Sequence, residues 1–186
     1  DFSMAIGGEA GQGIATPGDI LARLIVRRGL HLNTFNAFQS LIRGGHIFLT
    51  LRIGEKPVYS YGDKLDLLLC LNQDTMDRHL RLMGPGTRTI FNSDSVEPGE
   101  AGEGAQLCPI PMTELTKMGR NPLVQNTVAL GAVMALLGLD FQDLQEALTH
   151  RFQRQGQTVI DQNVDVAGIG YEYAATKFER FPHQVP

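Results

Sequence analysis

Tryptophan is absent from this chain, and there are only two cysteines, Cys70 and Cys108. Neither belongs to a CxxC pair or a Cys/His cluster, so the chain cannot ligate an iron–sulfur cluster by itself. Both lie in apolar runs and read as buried free thiols of a reducing compartment. Cationic surplus is missing too: 16 Lys and Arg against 20 Asp and Glu give a net charge of −4, which argues against a nucleic-acid partner. No apolar run is long enough to cross a bilayer and no signal peptide is visible, so the expectation is a cytoplasmic protein without a membrane. The five histidines are scattered without metal-ligand spacing, so no metal site is expected. Nor is there a Walker-type Gly-Lys-Ser/Thr, a Ser/His/Asp or Cys/His nucleophile arrangement, or an evident pair of catalytic carboxylates, and no catalytic residue is assigned.

What is present is an alternation of strand and helix signals. Phe2 to Ile6 is a short apolar run ending in Gly7-Gly8, which reads as a first buried strand. A helix follows to about Arg28. It starts either directly after Gly13, or at a Thr16 cap with Pro17 in first position and Asp19 closing a capping box. A second short strand is expected near His31 to Thr34. From His46 to Ile53 apolar and polar residues alternate, which predicts a half-buried strand. Leu67 to Leu71 is apolar throughout, as in a central parallel strand covered on both faces. A helix capped by Asn72 to Asp74 should run to Met83, with strands at Thr87 to Asn92 and Gln106 to Ile110. Asn121 and Pro122 announce a helix that is apolar almost all round to Leu137 and therefore buried. Amphipathic helices follow at Asp140 to Phe152 and beyond Ile160. The expected fold is a single α/β domain over residues 1–186. It is Rossmann-like and three-layered, with a mostly parallel sheet and a helical C-terminal part from about 111 to 178.

Two loops are candidates for ligand binding. In Gly8 to Gly13, glycines allow backbone amides to approach a ligand, and a helix starting behind them would favour a phosphate. The alternative is a tight strand-to-helix turn without a ligand, and Glu9 and Asp19 count against a bare anion site. In Ser40-Leu41-Ile42-Arg43-Gly44-Gly45-His46, a guanidinium beside two glycines suits a phosphate. It equally suits a turn with Arg43 solvated or salt-bridged. A nicotinamide cofactor would call for an acid ending the second strand, and His31-Leu32-Asn33-Thr34 has none. His46 reads as structural or solvated. Asn126, a polar residue on an apolar stripe, should be hydrogen-bonded and fix a loop or a subunit contact.

Taken together, Gly7-Gly8-Glu9-Ala10-Gly11-Gln12-Gly13-Ile14, Phe38 through His46, the Asp66-Leu67-Leu68 strand, Asn126 through Ala132 and the stretch from Asn163 to Ala174 resemble the gamma subunit or domain of 2-oxoacid:ferredoxin oxidoreductases. The likeness spans nearly the whole chain in the right order. It implies a Rossmann-like domain that helps to bind coenzyme A. The partners would be the alpha and beta parts of the enzyme, with thiamine diphosphate, Mg and iron–sulfur clusters housed there and ferredoxin served through the complex. Carried over by motif position, Gly8, Gly11, Gln12 and Gly13 of the first loop and Ser40, Arg43, Gly44 and Gly45 of the second would hold the nucleotide or pantetheine arm. Glu9-Ala10 stands where free-standing gamma subunits often have glycines, so the chain is similar to gamma domains fused ahead of an alpha domain. Its ends, Asp1 and Pro186, then read as those of a fragment. The reaction implied is oxidative decarboxylation of a 2-oxoacid, pyruvate-like or 2-oxoglutarate, to an acyl-CoA. An NAD(P)-dependent oxidoreductase and a ligand-free assembly module, docking through the apolar helix, are the competing classes.

Overall fold

A computed structural model describes the chain except residues 40–43, 100–103, 120, 183, 184 and 186, and the side chains of Phe38 and Leu80. Six strands form one sheet: β1 (Phe2–Glu9), β2 (His31–Phe38), β3 (His46–Gly54), β4 (Leu67–Cys70), β5 (Arg88–Asn92) and β6 (Gln106–Ile110), in the order β2-β3-β1-β4-β5-β6. The pairings of β1 with β4, β4 with β5 and β5 with β6 are parallel. β3 is antiparallel to both of its neighbours, β1 and β2. Every strand except β3 therefore points the same way.

Side-chain alternation sorts the core into two layers. Met4 and Ile6 of β1, Leu67 and Leu69 of β4, and Leu49, Leu51 and Ile53 of β3 pack toward α1 (Ala15–Arg27) and the C-terminal helices. Ala5, Leu68, Cys70 and Phe48 face the opposite way, against Met76 of α2 (Gln73–His79). The half-buried strand expected at His46 to Ile53 is thus buried on both faces: Phe48 packs on His79 of α2, and Thr50 is buried as well. The second strand is longer than its apolar pattern indicates. It reaches Phe38 because its backbone is held in register by β3, from His31 opposite Gly54 to Phe38 opposite Ile47. As an edge strand it can remain exposed.

After a short helix, α3 (Met112–Thr116), which the sequence pattern does not announce, come α4 (Pro122–Leu136), α5 (Phe141–Phe152) and α6 (Gln157–Lys177). Asn121 caps α4 by accepting from the amide of Leu123, with Pro122 in the first turn. From Asn126 to Leu136 α4 is buried throughout. That stretch is consumed within the fold, and Leu123 at the start of the helix stays exposed. Between α4 and α6 the approach is backbone to backbone: a Cβ on Gly131 would fall 2.0 Å from the carbonyl oxygen of Ala167, and one on Gly170 would fall 1.9 Å from that of Val128.

Candidate functional site

β1 feeds α1 and the strands on one side of the sheet, whereas its other neighbour, β4, feeds α2 and the strands on the opposite side. The carboxyl ends of β1 and β4 thus flank a topological switch point, where open α/β sheets place their ligands. Because β2 runs parallel to β1 and β3 returns antiparallel, the β2–β3 connection comes to that same rim. Glu9 sits opposite His46, and the amide of Ala10 donates to the carbonyl of Gly45 at 2.8 Å. The two glycine-bearing bends therefore meet.

In the first bend the amide of Gln12 closes a turn onto the carbonyl of Glu9 (3.2 Å), and Gly11 and Gly13 take φ of +90° and +77°. Those left-handed values are what glycine supplies without steric cost. The space where a Cβ of Gly11 would project is open, whereas one on Gly13 would meet Leu123 at 2.7 Å. Gly8 lacks a side chain for a different reason: a Cβ there would strike Ile14 at 2.4 Å, so strand-to-helix packing alone calls for glycine. α1 begins directly at Ala15. Its N-cap Ile14 makes no side-chain cap, so the capping box of Thr16 and Asp19 does not form, and Asp19 pairs with Arg23 at 3.1 Å instead. Among the described residues no hydrogen bond occupies the amides of Gly11, Gly13 or Ile14. The amide of Ile14 stands at the N-terminus of α1 and those of Gly11 and Gly13 lie in the bend just before it, an arrangement suited to an anion.

Two side chains hold this bend. The Gln12 amide donates to Glu9 Oε2 at 2.8 Å, tethering the carboxylate at the rim. Asn126, 5% exposed, donates from Nδ2 to the carbonyl of Gln12 at 2.6 Å, across 114 residues of sequence. That is the loop contact expected of a buried amide in an apolar helix. In the second bend Gly44 has φ of +75° with Glu9 Oε1 3.6 Å from its Cβ position, and Gly45 is buried. Ser40 and Arg43 lie outside the described residues.

A cleft of about 190 Å³ opens beside the switch point, lined by Gln12, Asn72, Ser95, Gln125 and Asn126 among others. Asn72 is committed to capping α2, accepting from the amide and hydroxyl of Thr75 at 2.9 and 2.7 Å. Ser95 and Gln125 are additions to the residues singled out from sequence. Ser95 follows the end of β5 by three positions, which is the signal that a rim-forming loop carries. Gln125 becomes a neighbour only through the packing of α4. A roomier concavity of about 670 Å³ lies by Asp1, Arg52 and Tyr59. It is at the opposite edge of the sheet, since Phe2 at the start of β1 pairs with Ile53 at the end of β3, and there the Arg52 guanidinium is taken by Asp1 and Ser60.

His46 is buried, not solvated. Its Nε2 lies 2.8 Å from His79 Nε2, and the His79 ring stacks on Phe48 with centroids 3.7 Å apart. Nδ1 of His46 lies 3.5 Å from an Asp74 carboxylate oxygen without hydrogen-bond geometry. Burial lowers the pKa of His46, with Asp74 opposing it, and the same cause, aided by the neighbouring His46, brings His79 down to about 4. The backbone amide of His46 donates to Gln39 Oε1 at 3.2 Å, and its carbonyl accepts from the Gln39 amide at 3.1 Å, closing the second bend at its base.

Residues 3–173 match the model of the pyruvate ferredoxin/flavodoxin oxidoreductase family. The chain belongs to this family. It is 29% identical over 182 residues to the ketoisovalerate oxidoreductase subunit VorA of Methanothermobacter thermautotrophicus, covering 96% of this chain and 38% of that relative. The chain thus spans little more than a third of the length of this relative, and of a 2-oxoacid:ferredoxin oxidoreductase alpha subunit from Aeropyrum pernix that it also matches. Among solved structures it is similar to the 2-oxoglutarate:ferredoxin oxidoreductase of Magnetococcus marinus with 2-oxoglutarate, coenzyme A and succinyl-CoA bound. That match has a TM-score of 0.90 and 29% identity over the whole of this chain and 33% of that one. A keto/oxoacid ferredoxin oxidoreductase gamma subunit from Geobacter sulfurreducens shares the fold, with a TM-score of 0.74 and 23% identity over 95% of this chain and 99% of that one. The same architecture therefore occurs as a stand-alone subunit and as about a third of a longer chain.

Proposed function

We propose that this chain is the gamma part of a multisubunit, thiamine diphosphate-dependent 2-oxoacid:ferredoxin oxidoreductase, and that its rim holds coenzyme A while a 2-oxoacid is converted to an acyl-CoA. The observation that carries the reading is the meeting of two glycine bends at the switch point, where no hydrogen bond among the described residues takes up the amides of Gly11, Gly13 and Ile14. Amides at a helix start fit a diphosphate. Arg43, on the second bend, would add a charged fork, and the cleft at Gln12, Gln125 and Asn126 offers amides to the remainder of the ligand. The coenzyme A-bound relative from Magnetococcus marinus supports the same ligand.

Electron transfer and decarboxylation belong, in this reading, to the alpha and beta parts. Both thiols here are buried, and no three His, Cys, Asp or Glu side chains converge as metal ligands among the described residues. No step of that chemistry is assigned to a residue of this chain, whose work is to bind and orient. The sheet order counts against an NAD(P) site: β3 separates β2 from β1, so an acid ending β2 would not flank the β1 loop as in a dinucleotide fold.

Calorimetry of the intact complex with coenzyme A, beside an Arg43→Ala variant, tests the reading. Saturable binding weakened about tenfold by the variant is expected for loss of one charge-assisted contact. Equal affinity would remove Arg43 from the site, and no binding at all by the intact complex would end the proposal.

A further inference from the structure

The chain is acidic overall, yet one groove on its surface is strongly basic. α1 and α5 pack side by side, fastened at one end by an ion pair between Arg28 and Asp143. Further along they enclose a groove of about 370 Å³ whose walls carry Arg23, Arg27, His150, Arg151 and Arg154, with Asp19 as the sole carboxylate lining it. Asp19 is already spent on Arg23. Elsewhere Arg28, Arg52 and Arg78 each meet a carboxylate. Arg27, Arg151 and Arg154 meet none among the described residues, and Arg151 only stands over the Phe152 ring, 5.8 Å from its centroid. Ile20, Leu24 and Ala147 supply an apolar strip to the same groove.

We propose that this groove is a second anion site, separate from the glycine rim, for a phosphorylated small molecule of the nucleotide class. Guanidinium forks match phosphate oxygens two at a time. An apolar strip beneath them suits a flat ring, and the volume lies in the range of small-ligand pockets. A concave site of this size favours a compact polyanion over the broad acidic face of a protein. None of the rim residues Gly11, Gly13, Gly44 and Gly45 lines it, so the assignment goes beyond the proposed function and does not depend on it.

The test is calorimetric titration of the intact complex with pyrophosphate and with ADP, at fixed ionic strength. Three proteins are compared: the wild type, the double variant Arg27→Gln/Arg154→Gln, and Arg43→Ala at the rim. Both groove positions are exposed, so the double variant should fold, which its unfolding temperature checks. The expected result is a saturable component that the double variant weakens at least about tenfold, as loss of two charge-assisted contacts requires, and that Arg43→Ala leaves in place, whatever further component at the rim Arg43→Ala removes. If coenzyme A competes with ADP for this binding, the phosphates come from the far end of that ligand and the groove remains the anion site. Without competition a free nucleotide is the source. Binding that is abolished by Arg43→Ala and untouched by the double variant would assign all anions to the rim and overturn the proposal. So would the absence of saturable binding, or an oligoglutamate peptide binding more tightly than pyrophosphate, which would make the groove a protein interface. Loss of coenzyme A binding in the Arg43→Ala variant speaks only to the rim.

Discussion

The helical layer and the rim both depend on glycine, for opposite reasons. Between α4 and α6, Gly131 and Gly170 are bare because the facing carbonyls already occupy the space of a side chain. At the rim, Gly11 is bare with nothing within 4 Å of its Cβ position, and what it contributes is its left-handed backbone. In the first region glycine permits contact, and in the second it permits a bend that leaves amides open. A glycine in sequence therefore says little until one knows whether its missing side chain would meet atoms or solvent.

The sharpest way to break that comparison is to add a methyl group to each region. Gly170→Ala or Gly131→Ala forces α4 and α6 apart and should cost about 3 kcal/mol or more, at the upper end of overpacking penalties. Urea unfolding would read it, and a loss below about 1 kcal/mol would mean the helices slide apart freely. Replacing the strut between the two regions comes next. Asn126→Leu removes the donor to the Gln12 carbonyl and should cost about 1 to 2 kcal/mol, as for a lost buried hydrogen bond. It should also raise amide hydrogen exchange in the first bend, while unchanged exchange there would show that Asn126 serves α4 alone. Gly11→Ala should cost only about 1 kcal/mol, the strain of an L-residue at positive φ. Its effect should fall on ligand affinity more than on unfolding.

A separate test concerns pH. His46 and His79 are both shifted downward, His79 to about 4, so the unfolded chain takes up protons before the folded one does. Their contribution is fully present above the ordinary histidine value of about 6.5 and is lost as pH falls from there toward 4. Below that the loss levels off. The variant His79→Phe should flatten the stability profile between those limits. An unchanged slope would remove the pair from the acid response.

Much of the scaffold was legible because its signals are local. The apolar run at Leu67 to Cys70 and the Asn121-Pro122 helix start are decided by residues close together in sequence. β3 was legible as a strand and misread in burial. Thr50 and His46 look solvent-facing in an alternating pattern yet are buried, His46 against Asp74 and His79 of α2. The far end of β2, with Asn36 and the exposed Phe35, has no apolar logic of its own and exists by pairing. At the site, both glycine bends stand out in the sequence. Their meeting follows from β3 running against its neighbours, and the Asn126 to Gln12 strut spans too much chain for any local pattern to show.

Cys70, at the end of β4 directly beneath the rim, is fully buried, and burial pushes its thiol up to about 12, with Cys108 brought to about 11 for the same reason. Disulfide exchange needs a thiolate, and at neutral pH this chain presents essentially none. A sulfur-bearing ligand arriving in oxidised form would therefore find no partner here to trap it covalently. A binding surface made this way stays serviceable when the surrounding thiol pool is partly oxidised.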